Sequence, residues 1–214
     1  MTPAAARRQS ILDGIAKAAH IAQRDPAEIT LIAISKGRSA EEIEPLIAAG
    51  QRDFGENRVQ EAEAKWTALR SRNPDVRVHA IGRLQSNKAA LAATLFDVIH
   101  SLDRPSLLEA LAEARPARPV YVQVNIGEEP QKGGCAIADV PALIDAVRAS
   151  PLPLAGLMAI PSLGLDPAPF FALLAKLAHG HDVTGLSMGM SADYKTAVML
   201  GATAVRVGTA LFED

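Results

Sequence analysis

Leu31-Ile32-Ala33-Ile34-Ser35-Lys36, followed at once by Gly37, is a short apolar run that ends in an amine. Strand alternation puts Ile32, Ile34 and Lys36 on one face. The run therefore reads as a buried strand whose last inward position is a lysine. Such a lysine stands where a core meets a pocket, and complete burial lowers an amine's pKa by about 3–5 units. A neutral amine is the nucleophile of carbonyl chemistry. The competing reading is a lysine that ends a strand and extends into water.

Working outward, the same unit recurs to the end of the chain. Strands are expected at 30–35, 51–54, 77–81, 97–100, 119–126, 154–160, 183–187 and 203–207. Helical patterns fall between them, near 40–49, 57–70, 86–95, 105–114, 138–149, 167–178 and 191–200. A first helix over 4–22 carries Ile11, Ile15, Ala18 and Ala22 on one face. Short apolar strands alternating with helices predict an α/β protein, a single (β/α)8 barrel of TIM type with an extra N-terminal helix and no second domain. A doubly wound open sheet is the competing architecture. Its Gly-x-Gly-x-x-Gly turn is not supplied by Ser35-Lys36-Gly37-Arg38-Ser39.

The 214 residues are 49% hydrophobic but only 4% aromatic, so the core must be aliphatic. A net charge of -2 without a basic block gives nucleic-acid binding no support. Cys135 is the only cysteine, which excludes a disulfide framework and a thiol metal cluster. His179 and His181 lack further ligands nearby in sequence and read as loop residues, so no metal site is expected. The stretch after Arg7 and Arg8 is charged, unlike a signal peptide. The longest charge-free run, 149–165, contains Pro151, Pro153 and Pro161 and reads as loop–strand–loop, not a membrane span. The expected compartment is the cytoplasm.

In such a barrel, reactive groups gather at the carboxyl ends of the strands. Lys36 lies at one, as does His79 in Val78-His79-Ala80-Ile81-Gly82, and Asn57 follows Asp53-Phe54-Gly55-Glu56. Asn57-x-x-Gln60 also fits a helix cap, and His79 also fits a core histidine. After the seventh strand comes Ser187-Met188-Gly189-Met190-Ser191, with Ser191 opening the next helix; after the eighth comes Arg206-Val207-Gly208-Thr209. Phosphates in these barrels often bind at those two loops. Glycines admit a close backbone approach, and Ser191 and Thr209 add hydroxyl donors. Arg206 alternates with Val205 and Val207 and so points into the barrel mouth, a costly place unless something pairs with it. Asp103 is one candidate partner. A lysine, an arginine and a phosphate nest together describe an anionic carbonyl ligand. Pyridoxal 5′-phosphate offers an aldehyde, a phosphate and a ring nitrogen.

Taken in order, these stretches resemble the pyridoxal-phosphate homeostasis protein (YggS/PROSC) family. The matching segments are Ile34-Ser35-Lys36, Asp53–Asn57, His79–Lys88, His100–Arg104, Val124–Ile126, Gly156–Met158, Leu186–Ser191, Asp193-Tyr194 and Arg206–Thr209. They span nearly the whole chain. The resemblance implies a fold-type III barrel like the N-terminal domain of alanine racemase, covering residues 1–214 as one pyridoxal-phosphate-binding domain. It implies a Schiff base between Lys36 and the cofactor, with Ser191, Gly208 and Thr209 on the phosphate and Arg206 facing the pyridine nitrogen. Ser187, Met190, Asn57 and His79 match positions near the cofactor. The family is associated with control of free pyridoxal phosphate, not with an established reaction.

Arginine donates hydrogen bonds, accepts none and stays protonated, so a ring nitrogen facing Arg206 would be unprotonated and a poor electron sink. Racemisation needs a second acid–base group opposite the lysine. The only tyrosines are Tyr121 and Tyr194, the first expected at the end of the barrel away from the ligand. The leading expectation is a monomeric carrier, not an enzyme, that buffers pyridoxal phosphate or delivers it to dependent apoenzymes. A slow amino-acid racemase and a sugar-phosphate barrel enzyme are the alternatives.

Overall fold

Eight parallel strands pair edge to edge in chain order, and the last pairs back to the first, closing a barrel. The structure, a computed structural model, describes residues 1–213. The strands are β1 (Thr30–Ile34), β2 (Asp53–Glu56), β3 (Arg77–Ala80), β4 (Val98–Leu102), β5 (Val120–Gln123), β6 (Leu154–Met158), β7 (Leu186–Ser187) and β8 (Ala204–Val207). The helices are α1 (Pro3–Ile21), α2 (Ala40–Ala48), α3 (Val59–Arg72), α4 (Ala89–Leu95), α5 (Pro105–Glu113), α6 (Val140–Arg148), α7 (Ala168–His179), α8 (Tyr194–Met199) and α9 (Thr209–Phe212). The expected (β/α)8 architecture with its extra first helix is present.

Local chemistry starts the helices. The Thr2 hydroxyl oxygen accepts from the Ala5 N–H, and Pro3 occupies the first turn of α1, where no N–H is needed. Ser39 and Glu42 cap α2 reciprocally, each side chain accepting from the other's backbone N–H. Helix α1 and the turn after it then tie the barrel seam: Arg7 Nε donates to the Leu211 carbonyl, and Arg24 Nη1 to those of Val198 and Ala202.

The aliphatic core lies between the outer face of the barrel and the helices. Leu31, Ala33, Phe54, Val78, Val122 and Val205 from the strands pack with Ile43, Trp66, Leu107, Ile144 and Phe171 from the helices in one cluster. Each fully buried side chain of this size contributes about 1.5–3 kcal/mol. The opposite strand faces point inward, and there the barrel is polar: Asp53, His79, His100, Ser187 and Arg206 are all buried. Interiors of this fold are ordinarily packed with branched aliphatic side chains. Ile32 and Met158 are buried but stand apart from the aliphatic cluster.

Some element limits differ from those expected. β7 has only two residues, because the Val183 N–H is taken by the Ala178 carbonyl at the end of α7. β5 stops at Gln123, and Val124 makes only an isolated bridge to Cys135. α8 begins at Tyr194, so Ser191 lies in the preceding turn and does not open the helix. The short α9 was not expected. Among the described residues, no helix is long and apolar enough to cross a membrane.

Candidate functional site

Lys36 sits in a turn just past the end of β1, not within the strand. The Arg38 N–H donates to the Ser35 carbonyl at 3.1 Å, and Gly37 takes φ +68°, a left-handed conformation suited to glycine. The expectation of a buried lysine is therefore corrected: the turn lifts Lys36 onto the barrel rim, where it is exposed. A buried cluster braces the turn from behind. Glu56 Oε1 accepts from Ser35 Oγ at 2.6 Å, Trp66 Nε1 at 2.9 Å and Lys65 Nζ at 2.8 Å. The same Lys65 ammonium donates to the carbonyls of Ser35 (2.7 Å) and Arg38 (3.0 Å), and Glu61 Oε1 accepts from the Gly37 N–H. The lysine is thus exposed at its side chain and anchored at its backbone.

Pairing of β1 with β8, Ala33 opposite Val207, brings the last loop beside this turn. A Cβ on Gly208 would stand 3.4 Å from the Ile34 Cβ, so the two segments touch. Lys36 follows Ile34 by two residues, a chain reach of about 7 Å. The Gly208 N–H donates to Ser191 Oγ at 3.2 Å, joining the loops after β7 and β8. Gly189 takes φ +92°, and the Arg206 N–H donates to its carbonyl. Asp193 holds the turn by accepting from the Met190 N–H at 2.6 Å. Met190 and Ser191 are half-buried and Thr209 is exposed. The structure therefore gathers Lys36, Ser191, Gly208 and Thr209 at the carboxyl ends of neighbouring strands.

Arg206 lies deeper. Its Nη1 donates to Ser187 Oγ at 2.5 Å and its Nη2 to the Ala159 carbonyl at 2.9 Å. Burial pulls its pKa down to about 10, against the nearby Asp193 and Tyr121, so it remains a cation at neutral pH. Among the described residues it has no carboxylate in ion-pair contact, and Asp103 pairs with Arg104 instead. A buried cation so placed favours an anion or an acceptor at its free edge.

Ser187 and His79 belong to a line of polar contacts inside the barrel. His79 Nε2 is 2.9 Å from Asp53 Oδ1, His79 Nδ1 is 2.9 Å from His100 Nε2, and His100 Nδ1 is 2.9 Å from Ser187 Oγ. His79 thus meets Arg206 only through His100 and Ser187. Burial pushes the His100 pKa well below the usual histidine value, with the charges of His79 and Arg206 adding to the effect. Burial raises the Asp53 carboxyl, but hydrogen bonds and charge from His79 and Arg77 outweigh it and leave the pKa low. Tyr121 stacks on His100 at 4.3 Å between ring centroids, at the amino-terminal end of the barrel. Asn57 is exposed and does not cap α3, whose preceding residue is Arg58. It borders a cleft of about 500 Å³ that Arg58, Arg83, Lys88 and Arg104 also line.

Sequence reasoning assigned no role to Glu56, Lys65, Asp53 or His100. Asp53 and His100 were within reach of it, since both occupy inward positions of strands already identified. The contact of Lys65 with the Lys36 turn carries no local signal, because helix periodicity does not say which turn a helix covers.

Residues 15–214 match the family model described as alanine racemase, N-terminal domain. The chain is 44% identical over 210 residues to the pyridoxal phosphate homeostasis protein of Pseudomonas aeruginosa, covering 92% of this chain and 90% of that relative. PipY of Synechococcus elongatus, solved without PLP, is 41% identical with a TM-score of 0.81; the match covers 92% of this chain and 99% of PipY. PipY solved with PLP bound gives 40% identity and a TM-score of 0.78 over the same shares. A barrel with its lysine turn on the first strand, and this extent of likeness, places the chain in the pyridoxal phosphate homeostasis protein family, on the fold of the alanine racemase N-terminal domain.

Proposed function

We propose that this chain binds pyridoxal 5′-phosphate through a reversible covalent link to Lys36, and buffers the cofactor or delivers it to apoenzymes. One observation carries the reading: Lys36, the joined Ser191–Gly208 loops and a buried guanidinium without a carboxylate partner among the described residues converge at one end of the barrel. The donor set fits the group. Ser191, Gly208 and Thr209 would hold the phosphate, Met190 and Asn57 would flank it, and Arg206 would face the ring nitrogen. Ser187 and His79 would act from beneath, through Arg206. When bound, the cofactor supplies an aldehyde and an aromatic ring conjugated to it. Arg206 donates only, so it keeps a facing ring nitrogen unprotonated, which weakens carbanion chemistry.

The two tyrosines support a carrier over a racemase. Tyr121 lies at the opposite end of the barrel, and the Tyr194 hydroxyl packs against Gly14 of α1. Neither is positioned to exchange a proton across the ligand from Lys36. Release to an apoenzyme requires the link to be exchangeable by another amine, which an exposed lysine allows. A monomer working in the cytoplasm as one binding domain completes the proposal.

The test is chemical. Protein incubated with pyridoxal 5′-phosphate and then borohydride should gain on Lys36 the cofactor's mass less one water plus two hydrogens, and Lys36→Ala should not. A Lys36→Ala protein with undiminished cofactor affinity and the same visible band would refute the site. Exchange of an amino acid's α-hydrogen in heavy water would move the reading to a racemase.

A further inference from the structure

Asp53, His79, His100, Ser187 and Arg206 come from β2, β3, β4, β7 and β8, yet form one unbroken line across the barrel. Donor counting fixes its direction. A guanidinium only donates, a carboxylate only accepts, and a neutral imidazole does one of each. With Asp53 ionised, His79 must present Nε2–H to it, leaving Nδ1 as acceptor. His100 must then present Nε2–H to His79, and its own Nδ1 accepts from the Ser187 hydroxyl. Ser187 in turn accepts from Arg206. Every contact is satisfied, and the line runs from a cation near the mouth to an anion near the floor.

One added proton reverses it. Doubly protonated His79 donates from both nitrogens, so His100 Nε2 must accept and His100 must carry its hydrogen on Nδ1. Ser187 Oγ then accepts from His100 and Arg206 together, and its own hydrogen has to leave the line. A hydroxyl that no longer donates along a chain is a weaker acceptor, so the hold on Arg206 loosens. We propose that Asp53, His79, His100 and Ser187 are positioning residues for Arg206: they form a tautomeric relay that carries a protonation at His79 to the guanidinium without moving the backbone.

The proton has a way in. A cavity of about 120 Å³ at the amino-terminal end of the barrel is lined by His79, His100, Arg77 and Tyr121. The charged and titratable groups facing the two histidines are Asp53 from β2, Arg77 from β3, Tyr121 from β5 and Arg206 from β8, while β1 contributes apolar Ile32. The link to the mouth rests on Arg206 being the ring-nitrogen partner; the relay itself does not.

Long-range proton–nitrogen NMR of the ligand-free, labelled protein reads the tautomers directly. At neutral pH both His79 and His100 should carry hydrogen on Nε2. Acidification should switch His100 from Nε2–H to Nδ1–H. An Nδ1–H His100 at neutral pH, or one that keeps Nε2–H throughout, overturns the relay. With pyridoxal 5′-phosphate bound, the visible band should shift with the same acidification, and Ser187→Ala should lose the shift. An unmoved wild-type band, or equal shifts in both proteins, refutes the link to Arg206. Failure to bind the cofactor at all would sink the proposed function, and the tautomer result would still decide the relay.

Discussion

Lys65→Met should destabilise the protein far more than its place on a solvent-facing helix would suggest. The ammonium is 8% exposed, the Glu56 carboxylate it meets is fully buried, and no other cation is in ion-pair contact with Glu56 among the described residues. Removing one partner of a buried pair costs about 3–5 kcal/mol. Glu56 keeps its bonds from Ser35 and Trp66, so the expected loss is about 3–4 kcal/mol. Urea unfolding with an unchanged slope is the assay. Arg72→Ala, which removes a surface pair with Glu44, is the control and should cost under about 0.5 kcal/mol. Adding Glu56→Gln to Lys65→Met should recover at least about 1 kcal/mol, because no charge is then left buried. A Lys65→Met loss as small as the control's, or no recovery in the double variant, would refute the reasoning.

Gly189→Ala places a Cβ 2.5 Å from the Ala197 Cβ at φ +92°. Left-handed strain and overpacking together cost about 2–5 kcal/mol, so melting should fall by about 5–15 °C. A fall under about 2 °C would show that the loop after β7 can relax away from α8. Burial, aided by Asp139 and Asp103, pushes the Cys135 thiol up to about 12, so a thiol reagent at neutral pH should label it only after unfolding. Rapid stoichiometric labelling of native protein would contradict its burial. Asp53 has a folded pKa below the ordinary carboxyl value, so its stabilisation is present above that value and lost as pH falls through the folded one. The stability gap between wild type and Asp53→Asn should therefore stay level near neutrality and close below about pH 4. A gap that does not narrow as pH falls below about 4 would rule this out.

The barrel was legible because outward residues such as Leu31, Phe54, Val78 and Val205 alternate with inward ones, and each run is separated by a helical stripe. What period-2 reading misses is the character of the inside. His79 and its direct partners Asp53 and His100 lie on adjoining strands, but Ser187 and Arg206 come from β7 and β8, and only closure of the sheet brings them to His100. Lys36 shows the opposite error. Alternation carried it inward, yet Gly37 turns the chain before the pattern reaches it. Ser191 fits a helix start by residue type, since serine is a favoured N-cap. Asp193 spends its carboxylate on the Met190 N–H instead, and the helix starts after that turn.

The seam between β1 and β8 has a consequence for synthesis. A ribosome releases the lysine turn well before the loops after β7 and β8. Until β8 emerges, β1 has no partner along that edge, and a polypeptide truncated ahead of β8 would display the amine without those loops. Any small molecule that must touch both is therefore captured only once the seam has formed. Ligand loading would act as a readout of barrel closure.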